Sequence, residues 1–229
     1  MPEKPPVGML LSLQIGIPKT YGDANATDPL YRPFLSSFIR VPVVGPRWLS
    51  RTHLEGNQQS DTQAHGSPNH AVLCYAAAHY PRWHAELGRT DLSFGGFAEN
   101  FTVEGLDEHR VCLGDTYRIG EAEIVVTDPR FPCSKIDRCW RMPGLTARVR
   151  DSGRTGWMCG VLHEGMVEAG MAIILLDRPF PDWPIARVND VLHGREDAPA
   201  IIEALIACPG LNPWWLPSLA RKLVPENTH

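Results

Sequence analysis

The stretch Thr116-Tyr117-Arg118-Ile119-Gly120-Glu121-Ala122-Glu123-Ile124-Val125-Val126-Thr127-Asp128-Pro129-Arg130-Phe131-Pro132-Cys133-Ser134-Lys135 decides how this chain folds. Thr116 to Ile119 reads as a short strand, Gly120-Glu121 as a tight turn, and the β-branched run Ala122 to Thr127 as the returning strand. Pro129 and Pro132 then end the ladder, because proline has no N–H to donate and fixes its own φ. Directly beyond them comes Cys133, with Arg130 before it and Lys135 after it. A thiol among fixed cations gives up its proton more readily, and the thiolate is the form that attacks electrophiles or binds soft metals. The competing reading is a small buried hydrophobe, the usual state of a free cysteine.

The same rhythm of short strands and turns recurs outward from this stretch. Gly8 to Ile15 alternates Leu11, Leu13 and Ile15 against Ser12 and Gln14, the period of a half-buried strand. Pro18 to Pro33, rich in Gly, Asp, Asn and Pro, reads as a loop. Ser37 to Val44 and Arg47 to Leu54 predict two strands paired about Gly45-Pro46, with Pro42 marking an edge position or a bulge. Gly156 to Leu162 and Met171 to Leu176 complete the set, around a turn near Glu164-Gly165. Strands this short and turn-rich predict a mainly β (α+β) fold, a closed or nearly closed β-barrel with a few helices. The 21 prolines argue against a helical bundle.

One helix is expected inside the main body, from Pro81 to Leu87 with a start as early as Ala77, stopped by Gly88. Its His79 and His84 read as packing or surface residues. After Pro184 the composition shifts, and three short helices are expected from Ala186 onward. Asp197 is the expected N-cap of the second, with Ile201, Ile202, Leu205 and Ile206 on its apolar face; Asn212-Pro213 starts the third. The chain thus divides into a barrel over 1–184 and a helical appendage over 185–229.

Two stretches read as ligand-facing. Glu55 to Asn69 is a polar segment of about 15 residues, a length that in a compact domain tends to be functional; a solvated surface loop is the alternative. The pair Gly95-Gly96 leads into a strand and lets a backbone approach something closely, but no helix follows, so it is not a nucleotide fingerprint.

Composition narrows the function. A net charge of −4 with 21% charged residues gives no electrostatic support for a nucleic-acid or membrane-surface partner. The apolar runs are too short to span a bilayer, and Met1-Pro2-Glu3-Lys4-Pro5-Pro6 does not read as a secretory signal. Six cysteines without an export signal predict reduced thiols in the cytoplasm. No zinc spacing joins Cys133 to Cys139. No GxSxG, HExxH or Walker sequence occurs.

Several motifs, in shared order, carry a family resemblance. They are Leu54-Glu55-Gly56 through His65-Gly66; His79-Tyr80 with Trp83; Gly96-Phe97-Ala98-Glu99-Asn100; Val111-Cys112-Leu113-Gly114-Asp115; Pro129-Arg130 with Pro132-Cys133 and Lys135; Ser152-Gly153-Arg154-Thr155-Gly156-Trp157; and Arg178-Pro179 with Pro181 and Trp183. Together they resemble the stand-alone, YiiM-like MOSC proteins, named after the C-terminal part of molybdenum-cofactor sulfurases. The resemblance covers Ser36 to Trp183, and the helical tail is similar to a three-helix extension in that family. It implies a β-barrel cleft that holds a pterin-based molybdenum cofactor, with Cys133 ligating the metal. It further implies that Arg40, Asn57, Gly96, Asn100, Arg130, Lys135, Arg154 and Trp157 line the cofactor, and that His65 with Glu55 relays protons. Four positions depart from the family pattern: Ser67 replaces a glycine, Asn57 an aspartate, Ala98 a glycine and Arg40 a lysine.

Three functions follow from that resemblance. The first is reduction of N-hydroxylated compounds of the hydroxylaminopurine type, fed by a separate electron-donating reductase because the chain has no flavin, haem or iron–sulfur motif. The second is sulfur transfer through a persulfide on Cys133. The third is a molybdopterin-binding module without turnover. A monomer or a homodimer is expected.

Overall fold

The computed structural model describes residues 4–59 and 68–224. Seven strands close into a barrel in the order β12, β8, β9, β10, β6, β7, β1 and back to β12. They are β1 (Gly8–Ile15), β6 (Val72–Ala76), β7 (Phe101–Glu104), β8 (Thr116–Ile119), β9 (Ala122–Pro129), β10 (Trp157–His163) and β12 (Ala172–Asp177). Every neighbouring pair is antiparallel except β6 with β7. β1 closes the ring by serving three partners: Gly8 and Met9 face β12, Met9 to Leu13 face β7, and Leu13 to Ile15 face β4 (Val41–Val43). A bulge between Leu10 and Ser12 gives the strand the extra bend that such sharing needs. The β8–β9 hairpin forms as its sequence predicts, with Ile119 opposite Ala122. Along β9 the residues alternate, so that Ala122, Ile124, Val126 and Asp128 are buried.

One expected pairing is corrected. Val41–Val43 and Arg47–Leu49 (β5) do not pair with each other; β4 lies against the end of β1 and β5 against β11 (Gly165–Val167). Pro42 and Pro46 cannot donate to a shared ladder, and β4 lies at the sheet edge, where Pro42 is tolerated. The expected loop from Pro18 to Pro33 also contains β2 (Lys19–Tyr21), paired with β3 (Phe34–Ser36).

The body carries α1 (His79–Leu87), stopped by Gly88 in the left-handed region, and two further helices that the sequence reading missed: α2 (Lys135–Trp140) and α3 (Leu145–Ser152). The tail forms α4 (Ile185–Leu192), α5 (Pro199–Ile206) and α6 (Leu216–Lys222). Ala198, not Asp197, is the N-cap of α5, and its side chain makes no capping bond; Pro199 at the first turn supplies no N–H to cap. Val188, Ile202, Leu205, Trp215 and Leu219 share one continuous core with the barrel residues Leu10, Phe101 and Trp157. The buried face of the tail is therefore continuous with the core of the barrel.

A second core is aromatic: Phe38, Tyr75, Tyr80, Trp83 and Phe97, closed by Ile136, Leu145 and Val149 from α2 and α3. Tyr75 stacks on Phe97 at 5.0 Å, a contact that adds about 0.5–1.5 kcal/mol to its area burial. Elsewhere, two sequence motifs meet in a structural pair. Buried Asp115 accepts from Arg178 through both carboxylate oxygens, at 2.9 and 2.7 Å, and from Tyr117 Oη at 2.7 Å.

Candidate functional site

The candidate site lies where β9 ends above the aromatic core. Arg130 N donates to Gly156 O at 3.1 Å, which pins the chain as it leaves the barrel. Arg130 is 7% exposed, with its guanidinium 5.7 Å from the centre of the Phe38 ring. Cys133 is half-buried and free. Its carbonyl, not its thiol, is the anchor: it accepts from Ile136 N at 3.0 Å and from Thr146 Oγ1 at 3.1 Å. Thus α2 and α3 position the cysteine that follows the two prolines.

Arg40 lies within range of the charges of Arg130 and Glu99. Its N donates to Gly95 O at 3.1 Å, and a Cβ on Gly95 would stand 2.3 Å from Arg40 O. Glycine is required there by close backbone approach, as well as by a φ of +90°. Among the described residues, Arg40 Nε and Nη1, Arg130 Nη1 and Asn57 Nδ2 are buried without a hydrogen-bond partner. Burial brings the Arg40 pKa down to about 10, partly offset by the Glu99 charge and reinforced by repulsion from Arg130. Burial also lowers that of Arg130, against attraction from Cys133. Two desolvated guanidiniums with spare donors can chelate an oxyanion.

Their buried counter-charge is Glu99, which lies within the motif Gly96-Phe97-Ala98-Glu99-Asn100 and is not among the residues expected from the sequence to line the site. Its carboxylate accepts from Gly95 N at 2.7 Å, Phe97 N at 3.2 Å, Thr102 Oγ1 at 3.0 Å and Tyr80 Oη. Burial raises its pKa against the pull of these bonds. The turn that makes them possible holds Ala98 at a φ of +67°, a left-handed conformation that costs an L-residue about 1–2 kcal/mol. Ala98→Gly is expected to raise stability by about 1 kcal/mol, read as a melting temperature higher by about 2–4 °C.

The other sequence candidates separate into groups. Asn57 Oδ1 accepts from Gly16 N at 2.9 Å, while its Nδ2 is buried and unpartnered among the described residues. Lys135 opens α2 and is half-buried. Glu55 is exposed and accepts from Trp48 N at 3.1 Å. Asn100 is committed to the barrel instead of a ligand: Leu73 N donates to its Oδ1 and its Nδ2 donates to Gln14 O, each at 3.2 Å. Trp157 packs in the barrel core. Gly96 makes room for Trp140, whose Nε1 donates to Gly96 O at 2.7 Å. Arg154 stacks 3.6 Å from the Trp83 ring centre and pairs with Glu86 at 2.6 Å. It lines a separate polar cavity of about 300 Å³ with His79 and Glu108. His65 and Ser67 lie outside the described residues.

The domain model described as "MOSC domain" matches residues 61–174. Over 216 residues the chain is 34% identical to the protein YflK of Bacillus subtilis (strain 168), with 93% of each covered. The chain belongs to the MOSC-domain family. A protein named "Reductase" from Gibberella moniliformis is 34% identical over 154 residues, which are 66% of this chain and 27% of that protein. The crystal structure of YiiM from Geobacillus stearothermophilus superposes with a TM-score of 0.77 at 27% identity, covering 95% of this chain and all of that one. The likeness to YiiM extends over nearly the whole chain. Within it, the matched MOSC region supplies Glu99, Arg130 and Cys133, while Arg40, Glu55 and Asn57 come from the segment that precedes it. Among the described residues no cluster of three or more His, Cys, Asp or Glu could hold a metal. No described helix is long and apolar enough to cross a membrane.

Proposed function

We propose that this MOSC protein binds a molybdenum cofactor and reduces N-hydroxylated compounds of the hydroxylaminopurine type, with electrons from a separate reductase. One observation carries the reading: Arg40 and Arg130, with buried N–H groups unpartnered among the described residues, lie within range of each other's charge, and Arg130 within range of the half-buried thiol Cys133. The residues fit the group. A pterin-bound phosphate matches planar, fixed donors better than solvent does, and a soft sulfur suits molybdenum. Cys133 Sγ would ligate the metal, Arg40 and Arg130 would hold the phosphate, and Asn57 Nδ2 and Lys135 would complete the polar lining. When bound, the cofactor supplies two-electron oxygen-atom chemistry at its metal.

The chain's own contribution is to bind, orient and protonate. Reduction of R–NHOH to R–NH₂ and water breaks the N–O bond and consumes two electrons and two protons. Glu55 and His65 are the assigned proton relay, since a carboxylate and an imidazole can pass protons near neutral pH. Burial of Arg130 and Glu99 keeps water away from the anion site and strengthens each charge interaction there. A cytoplasmic setting accords with six cysteines that are all unpaired.

Metal and pterin analysis of protein purified from a host that makes the cofactor tests this. Molybdenum and oxidised pterin are expected in equal amounts, together with reduction of N-hydroxylated adenine by a reducing partner. Cofactor-loaded protein that turns over no N-hydroxylated compound would overturn the reductase reading.

A further inference from the structure

We propose that Phe131 and Trp214 form an aromatic platform beside Cys133 that stacks the planar heteroaromatic ring of the substrate; this deepens the reductase reading and rests on it. Phe131 is 56% and Trp214 66% exposed, although both are large apolar rings. They come from distant parts of the chain. Phe131 lies between Arg130 and Cys133, and Trp214 belongs to the single turn Pro213–Trp215 that precedes α6. Their centroids are 6.4 Å apart at 73°. Trp215 supports both, 6.0 Å from Phe131 and 4.6 Å from Trp214.

The platform is held from beneath. Trp215 Nε1 donates to Asp128 Oδ1 at 2.9 Å, and Asn212 Nδ2 donates to Asp128 Oδ2 at 2.9 Å. Asn212 Oδ1 in turn accepts from Trp214 N at 3.0 Å. Asp128 is buried on β9, two residues before Arg130, and His70 Nε2 reaches its Oδ2 at 2.8 Å. One buried carboxylate therefore fixes the aromatic turn of the tail to the strand that presents Cys133. Charge-assisted bonds of this kind are the strong ones.

Size favours a small ligand. Two half-exposed rings offer a few hundred Å² at most, on the order of an ordinary surface patch. A stable protein interface needs about 800 Å² from each partner. Phe131 and Cys133 are two residues apart, within about 7 Å along the chain, which is about the span of a bicyclic base. A ring stacked on Phe131 would carry an exocyclic N–OH group toward Cys133.

The test uses cofactor-free protein titrated with adenine, read by tryptophan fluorescence, beside turnover by the loaded enzyme. Saturable quenching is expected in the wild type, with binding weakened about tenfold in Trp214→Ala and in Phe131→Ala, and restored in Trp214→Phe. Unchanged adenine affinity in both alanine variants, or unchanged turnover of an aromatic N-hydroxy substrate, overturns the platform. So does a turnover defect in Trp214→Ala that appears with a protein electron donor and vanishes with a reduced dye, since that marks a docking surface for the donor. Because adenine has no N–OH group, quenching without any N-hydroxy reduction sinks the reductase reading and leaves the stacking site standing.

Discussion

Cys133→Ser is expected to lower turnover of N-hydroxylated substrates by on the order of a thousandfold or more, because a ligand acting as one unit with its metal removes the whole step when it is lost. Serine is close to isosteric, but its hydroxyl stays protonated at neutral pH and is a hard ligand where a soft one is needed. The fold does not depend on the sulfur. Cys133 is held through its carbonyl by Ile136 N and Thr146 Oγ1, and both bonds survive the exchange, so stability should move by no more than about 0.5 kcal/mol. Cys139 is the internal control. Burial, and then the charge of Cys133, push its thiol up to about 12, so it remains protonated at neutral pH. Cys139→Ser should keep turnover and cost about 1 kcal/mol for a hydroxyl placed against the aromatic core. Steady-state rates, molybdenum content and thermal melts separate the two variants. Retained turnover in Cys133→Ser, or equal loss in both, would rule out Cys133 as the metal ligand.

The parts of this fold that were legible in the sequence are those decided by local period and turn chemistry. The β8–β9 hairpin could be read because Gly120 sits at the turn, with a φ of +57°, and β-branched residues fill the return strand. What failed was partner choice. Arg47–Leu49 looked like the natural partner of Val41–Val43, yet it pairs with Gly165–Val167, a decision made by the shape of the closed barrel over more than a hundred residues of separation. Lys135–Trp140 and Leu145–Ser152 were missed because each is short and buries few of its residues: Ile136 in the first, Leu145 and Val149 in the second. So narrow an apolar stripe leaves little periodicity to detect.

The site shows the same division. Cys133 and Arg130 stand out in the sequence because two prolines and a strand end bracket them in one stretch, and the structure places Arg130 buried and Cys133 half-buried where β9 ends. Asn100 and Trp157 share motif company with them, but their side chains face barrel strands. Only three-dimensional contact distinguishes a residue that holds the wall from one that faces the cleft. Glu99 carries no sequence signal of its own, since its meaning comes from four donors that converge on it across Gly95, Phe97, Thr102 and Tyr80.

Inorganic phosphate is expected to stabilise the cofactor-free protein, and Arg130→Met to abolish that effect. The ground is the arrangement of Arg40 and Arg130. Arg130 is buried, Arg40 has its Nε and Nη1 buried, the two charges repel each other, and both leave N–H groups unpartnered among the described residues. A desolvated charge without a hydrogen-bonded partner costs several kcal/mol, and an oxyanion that accepts from both guanidiniums offsets much of that cost. By mass action, phosphate at a hundred times its Kd adds about 2.7 kcal/mol, or about 5–10 °C in melting temperature for a chain of this length. Arg130→Met keeps the apolar stem over Phe38 while removing the charge, so the variant without phosphate should melt no lower than the wild type. Arg40→Met should likewise lose the phosphate effect. The pH dependence has a definite sign. The Arg40 pKa in the folded state is lowered to about 10, below its ordinary value, so the folded chain holds that proton less tightly than the unfolded chain does. Below about pH 10 the guanidinium is charged in both states and its burial penalty is fully present. A guanidinium keeps its proton inside a protein at ordinary pH, so from neutral to mildly alkaline pH that penalty stays in place and phosphate should keep its effect. Differential scanning fluorimetry with phosphate against chloride at matched ionic strength reads all of this directly. A phosphate shift of the same size in the wild type, Arg40→Met and Arg130→Met would show that the two guanidiniums do not form an anion site.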